Sequence, residues 1–158
     1  VQSLGVTLMD LDSLLAQADF VSLHLPLNPD TYHLFDKETL QKMKPGAYLI
    51  NTARGRIVDE YALADALNTG RLGGAGLDTF EKINPFCGVD GRQESILLHL
   101  ENVILTPHVS ALSEQGMQEV TEQGVANLSA VLQGFWPPPK NIVNFEVRPF
   151  YKLSTVNS

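Results

Sequence analysis
The sequence predicts an α/β fold: a mostly parallel sheet wound by helices, with four strands in the chain. Three observations predict it. Apolar runs of strand length alternate with amphipathic stretches that open on Asp or Ser, and the connections between them are short. That alternation is the pattern of parallel strands joined by right-handed helical crossovers. The chemically capable polar residues also gather just past the apolar runs, at the carboxyl ends of strands, where open α/β sheets bind ligands.

Each element has a local reason. After a short mixed stretch, Asp10 and Asp12 can cap a helix with Leu11, Leu14, Leu15 and Ala18 on one face. Residues 19–25 read as a strand, stopped by Pro26 and the Asn28, Pro29, Asp30 cluster. Asp36 caps a second helix with Leu40 and Met43 inward, ended by Lys44, Pro45 and Gly46, and the strand Tyr48–Asn51 follows. Asp59 caps a third helix over 60–68, with Ala62, Leu63, Ala66 and Leu67 inward and Gly70 as its left-handed terminator. Residues 73–78 form a glycine-rich strand ending in Asp78, and glycines there predict a helix or ligand close to the backbone. Residues 79–101 read as a long irregular loop with at most a helical turn near 96–98. A strand over 102–105 comes next, and Ser113 caps a long helix to Leu132 whose apolar stripe is Met117, Val120, Val125, Leu128 and Val131. Pro137, Pro138 and Pro139 stiffen a connector to an extended tail over 142–151.

Composition narrows the function. With 158 residues, 44% of them apolar, the chain can bury one real core. A net charge of -7 with scattered Lys and Arg argues against a nucleic-acid or anionic-membrane surface. No apolar run approaches the roughly 20 residues of a membrane span, and the first residues lack a signal-peptide layout, so a cytoplasmic location is expected. Cys87 is the single cysteine, which removes an intrachain disulfide, and no His or Cys spacing suggests a metal.

The polar residues at strand ends are His24, Thr52, Arg54, Asp78 and His108. A strand-end His near an Arg suits proton transfer near neutral pH. Arg54, between a buried strand and Gly55, suits a forked clamp on a carboxylate, a geometry that Lys cannot copy. Asp78 could equally cap the following turn, His24 is read as structural, and His33 and His99 as ordinary surface or loop residues. The cluster Gly73, Gly74, Gly76 runs into a strand rather than opening a helix, so any dinucleotide pyrophosphate site lies outside this chain.

Residues 18–27 (ADFVSLHLPL), 43–47 (MKPGA), 50–60 (INTARGRIVDE), 76–81 (GLDTFE) and 101–108 (ENVILTPH) together resemble the D-isomer-specific 2-hydroxyacid dehydrogenases, in family order over roughly residues 4–145. The resemblance implies a Rossmann-type doubly wound sheet and an enzyme that interconverts a 2-oxo acid and a D-2-hydroxy acid with NAD, NADP not being excluded. It implies that Arg54 holds the substrate carboxylate and that His108 exchanges the hydroxyl proton. It places Leu25, Pro26, Thr52, Ala53, Arg54, Asp78, His108, Val109, Ser110 and Ala111 around the nicotinamide end of the cofactor. The family's usual catalytic Glu falls at Ile83 here, so Glu81 or Glu94 would have to substitute; otherwise the pair is lost and the acid/base cycle is weaker near neutral pH.

The family's substrate-domain segment, Gly-rich first turn and ribose-binding acid would all precede Val1. Residues 1–134 are therefore expected to be the distal half of the dinucleotide-binding domain, and 135–158 a connector and tail that pack on a substrate domain. The expectation is a fragment inactive alone, or a partner to a chain carrying the missing half, with a homodimer in the complete protein. An edge strand at the start and the aromatics Phe135, Trp136, Phe145, Phe150 and Tyr151 would then need cover. The rival readings are a dinucleotide-sensing, corepressor-like binding protein of the same fold and an inactive remnant of a split gene.

Overall fold
The computed structural model describes residues 5–81, 95–144, 146 and 152–155. The chain forms two compact units, Val1–Ser110 and Ala111–Ser158. In the first, helices α1 (Leu11–Gln17), α2 (Lys37–Lys42) and α3 (Glu60–Asn68) alternate with strands β1 (Phe20–Leu23), β2 (Tyr48–Asn51), β3 (Gly74–Leu77) and β4 (Val103–Leu105). The strands lie in the order β1-β2-β3-β4, and every pairing is parallel. The sheet is thus the expected one, with β1 at its edge.

The register explains the core. Val21, Leu49, Ala75 and Val103 form one row across the sheet, and Leu23, Asn51, Leu77 and Leu105 another; both rows face inward. Leu15, Leu40, Met43, Leu63, Ala66 and Leu67 from the helices join the same core. Successive crossovers in one direction put their helices on one face when all are right-handed. The alternate row Ser22, Ile50, Gly76 and Ile104, with Phe20 and Tyr48, lies on the opposite face. There Phe20 is 68% and Ile104 73% exposed, the Phe20 and Tyr48 rings stack at 5.2 Å, and a groove of about 500 Å³ opens above the glycines.

The caps are those read from the sequence. Asp10, Asp36 and Asp59 each accept a backbone N–H from the first turn of α1, α2 and α3. Gly46 and Gly70 take positive φ, 78° and 70°, after α2 and α3. On α1 only Leu15 is buried, while Leu11 and Leu14 stay exposed, because the helix is seven residues long and meets the core along a single contact line. The glycines at the start of β3 are crowded by the chain itself: a Cβ on Gly74 would meet Asn102 O at 2.9 Å and the Tyr48 ring at 3.0 Å, and one on Gly73 the Gly46 carbonyl at 2.5 Å. The neighbouring strand's aromatic lies across a row that has no side chains to hold it off.

In the second unit, α4 (Glu114–Leu132) begins at the Ser113 cap and has no buried residue, so its apolar stripe stays exposed among the described residues. The tail makes a short turn at Pro139–Asn141, and Phe135 pairs with Ser154. The expectations for Phe145, Phe150, Tyr151, Ile83, Cys87 and Glu94 lie outside the described residues.

Candidate active site
The parallel sheet brings the ends of its strands to one rim. His24 follows β1, Thr52 to Arg54 follow β2, Asp78 follows β3 and His108 stands three residues past β4. Residues that are 84 apart at the extremes therefore share one edge of the sheet.

The Arg54 turn is built by Asn51. This side chain is 1% exposed although it ends a strand row that is otherwise apolar. Its Oδ1 accepts from Ala53 N at 3.0 Å and its Nδ2 donates to Arg54 O at 3.0 Å, so one amide closes the loop on both sides. Arg54 itself is exposed, and one of its nitrogens donates to Ala53 O at 2.7 Å. A guanidinium has five N–H donors, so the fork still has capacity for an anion. Gly55 is required here by space: a Cβ would stand 2.0 Å from both the carbonyl carbon and oxygen of Phe80. The turn carrying the arginine lies directly on the chain that leaves β3.

Asp78 is 2% exposed and builds the second loop. Its carboxylate accepts from Thr106 Oγ1 at 2.5 Å, Val109 N at 2.9 Å and Ser110 N at 2.9 Å. Burial pushes its pKa up, but the hydrogen bonds from Ser110, Thr106 and Val109 outweigh that and hold it well below the ordinary carboxylate value. These bonds fold the segment around His108, which takes φ 59° and donates its N–H to Thr106 O at 3.0 Å. A positive φ on a non-glycine residue is a strained conformation, maintained here by the Asp78 anchor.

Glu81 lies on the same exit from β3. Its Oε1 stands 3.2 Å from His33 Nε2, outside hydrogen-bond alignment, and its N–H donates to Glu60 Oε1 at 2.6 Å. His33 is therefore more than an ordinary loop residue: it has φ 50°, stacks on Tyr32 at 4.1 Å and donates its N–H to Arg56 O. His24 meets Ser22 Oγ at 2.9 Å, and His99 is exposed at the end of a short turn. Leu25 and Pro26 are exposed at the rim, and Thr52 and Ala53 half-buried. Ala111 opens the second unit. Asn51 and Glu60 hold these loops although no sequence motif marks them for it. Their signals were a polar residue in an inward strand row and a Glu in phase with Leu63, Ala64 and Leu67 on α3.

Among the described residues no group of His, Cys, Asp and Glu could hold a metal ion, and no helix is long and apolar enough to cross a membrane.

Comparison with known proteins identifies the family of this fold. The family model for the NAD-binding domain of D-isomer specific 2-hydroxyacid dehydrogenases matches residues 1–110. A glyoxylate reductase of Korarchaeum cryptofilum is 44% identical over 92% of this chain and 42% of its own length. A D-3-phosphoglycerate dehydrogenase of Synechocystis is 40% identical over 96% of this chain and 27% of its own. The NAD-complexed D-isomer specific 2-hydroxyacid dehydrogenase of Lactobacillus delbrueckii ssp. bulgaricus superposes with a TM-score of 0.74 at 36% identity, covering 86% of this chain and 43% of that one. The chain belongs to the D-isomer specific 2-hydroxyacid dehydrogenase family, its residues 1–110 matching the family's NAD-binding domain. It spans about two fifths of the length of the glyoxylate reductase it matches.

Proposed function
We propose that the protein containing this chain is an NAD-dependent dehydrogenase that interconverts a small 2-oxo acid and the corresponding D-2-hydroxy acid. One observation carries the reading: Arg54 and His108 stand at the ends of β2 and β4 on one rim, with the buried Asp78 carboxylate at the end of the strand between them. The rim fits the nicotinamide end of a dinucleotide, since Leu25, Pro26, Thr52 and Ala53 offer small or apolar surface beside a cation. When bound, the nicotinamide supplies or accepts the hydride. Arg54 binds the substrate carboxylate with paired N–H donors and so orients the adjacent carbonyl. His108 delivers a proton to the carbonyl oxygen during reduction and takes it back during oxidation. Asp78 fixes the loop on which His108 sits, and Val109 and Ser110 supply the N–H groups it holds.

The test is turnover of glyoxylate, hydroxypyruvate or pyruvate with NADH by the whole protein. Arg54→Ala is expected to lower kcat/KM on the order of 10²–10³-fold, with little recovery in Arg54→Lys, and His108→Ala on the order of 10²–10⁴-fold. Unmodified protein that binds NADH yet reduces none of these acids would refute the enzyme reading in favour of a dinucleotide-sensing role.

A further inference from the structure
The buried carboxylate of Glu60 has no part in the reaction described above, yet it is spent on the strand-end loops. Glu60 is the first residue of α3 and is 3% exposed. Its Oε1 accepts from Glu81 N at 2.6 Å and its Oε2 from Ser95 Oγ at 3.1 Å. Ser95 in turn accepts the Leu97 N–H at 3.3 Å, at the start of the turn Ile96–His99. One side chain thus joins the chain leaving β3 to the chain returning towards β4.

The peptide that Glu60 holds is the one packed on the arginine turn. A Cβ on Gly55 would lie 2.0 Å from Phe80 C and 2.5 Å from Glu81 N, so the Phe80–Glu81 peptide is in direct contact with the residue after Arg54. A second route reaches the same place: the Glu81 carboxylate faces His33, whose N–H donates to Arg56 O at 2.9 Å. Both routes end on the segment 54–56, whose backbone fixes the root of the Arg54 side chain.

We infer that Glu60 is a positioning residue for Arg54, acting through the Phe80–Glu81 peptide and Gly55. The inference rests on the reading of Arg54 as the substrate clamp. It also accounts for a buried carboxylate at this position, where the amino end of a helix favours negative charge and both oxygens find donors.

Amide hydrogen exchange on the full chain tests it, with the Glu81 amide reporting the clip and the Ile57 amide, which donates to Arg54 O at 3.2 Å, reporting the arginine turn. Glu60→Ala is expected to speed exchange at both amides by at least about tenfold, while β2 amides keep their protection. Glu60→Gln, whose carbonyl still accepts from Glu81 and whose amide can donate to Ser95, is expected to stay within about threefold of the unmodified chain. Ser95→Ala, which removes one arm, is expected to fall between them. If Glu60→Ala does not fold, Glu60→Asp replaces it, since the shorter side chain cannot span both partners. In the whole protein, Glu60→Ala should raise KM for the 2-oxo acid more than it lowers kcat, with recovery in Glu60→Gln. Unchanged Glu81 and Ile57 exchange, or a Glu60→Gln variant as impaired as Glu60→Ala, would overturn the inference. Failure of the dehydrogenase reading looks different: no turnover by the unmodified protein, with the exchange pattern intact and the clip upheld.

Discussion

At the scale of single residues, the site is set by buried polar groups whose hydrogen bonds are internal. Asp78 accepts three, and they hold its pKa well below the ordinary carboxylate value. Because the folded value is depressed, its stabilisation is complete above about pH 4 and is lost as pH falls towards the folded pKa. Acid titration followed by circular dichroism should therefore show stability eroding below about pH 4. Asp78→Asn should shrink that pH dependence and cost about 2–4 kcal/mol at pH 7, because a carboxamide cannot accept from all three donors. Thr79 is the opposite case: it is 5% exposed and its Oγ1 has no partner among the described residues. Thr79→Val should be neutral or stabilise by up to about 1 kcal/mol in urea unfolding, since it removes an unmet hydrogen-bonding group at nearly constant volume. Gly55→Ala should cost at least about 2 kcal/mol, because its new Cβ meets backbone atoms of Phe80 at 2.0 Å.

Elements are held by their ends as much as by their faces. Asp59 caps α3 with bonds from both Tyr61 N and Ala62 N, and Asp59→Ala should lower stability by about 1–2 kcal/mol by denaturant titration. The Arg71 guanidinium donates to the carbonyls of Gln41 and Met43 at the end of α2, supplying partners that the helix lacks. These short helices were legible in the sequence because caps and terminators act over three or four residues. The α4 stripe was legible too, but periodicity identifies an apolar face without naming what it meets. The inward placement of Asn51 and Glu60 could be suspected from phase alone; their partners, two to 35 residues away, could not.

For the whole molecule, the governing fact is that within the first unit the described helices pack on one face of the sheet. Its other face carries Phe20, Tyr48, Ile50 and Ile104 around the glycines of β3, an apolar surface of the kind that binds partners or dyes. An anilinonaphthalene sulfonate dye should fluoresce with the isolated chain, and Phe20→Ser with Ile104→Ser should reduce that signal while leaving the midpoint of unfolding nearly unchanged, since both side chains are already exposed. The alternation of strands and helices, the caps, and the residues that fall at strand ends are all written in the chain, because each depends on a short window of it. That Asn51 closes the Arg54 turn, that Asp78 is consumed in folding the His108 loop, and that Glu81 faces His33 emerge only on folding. Those outcomes depend on contacts between segments brought together by parallel register and crossover handedness, which local pattern constrains but does not specify.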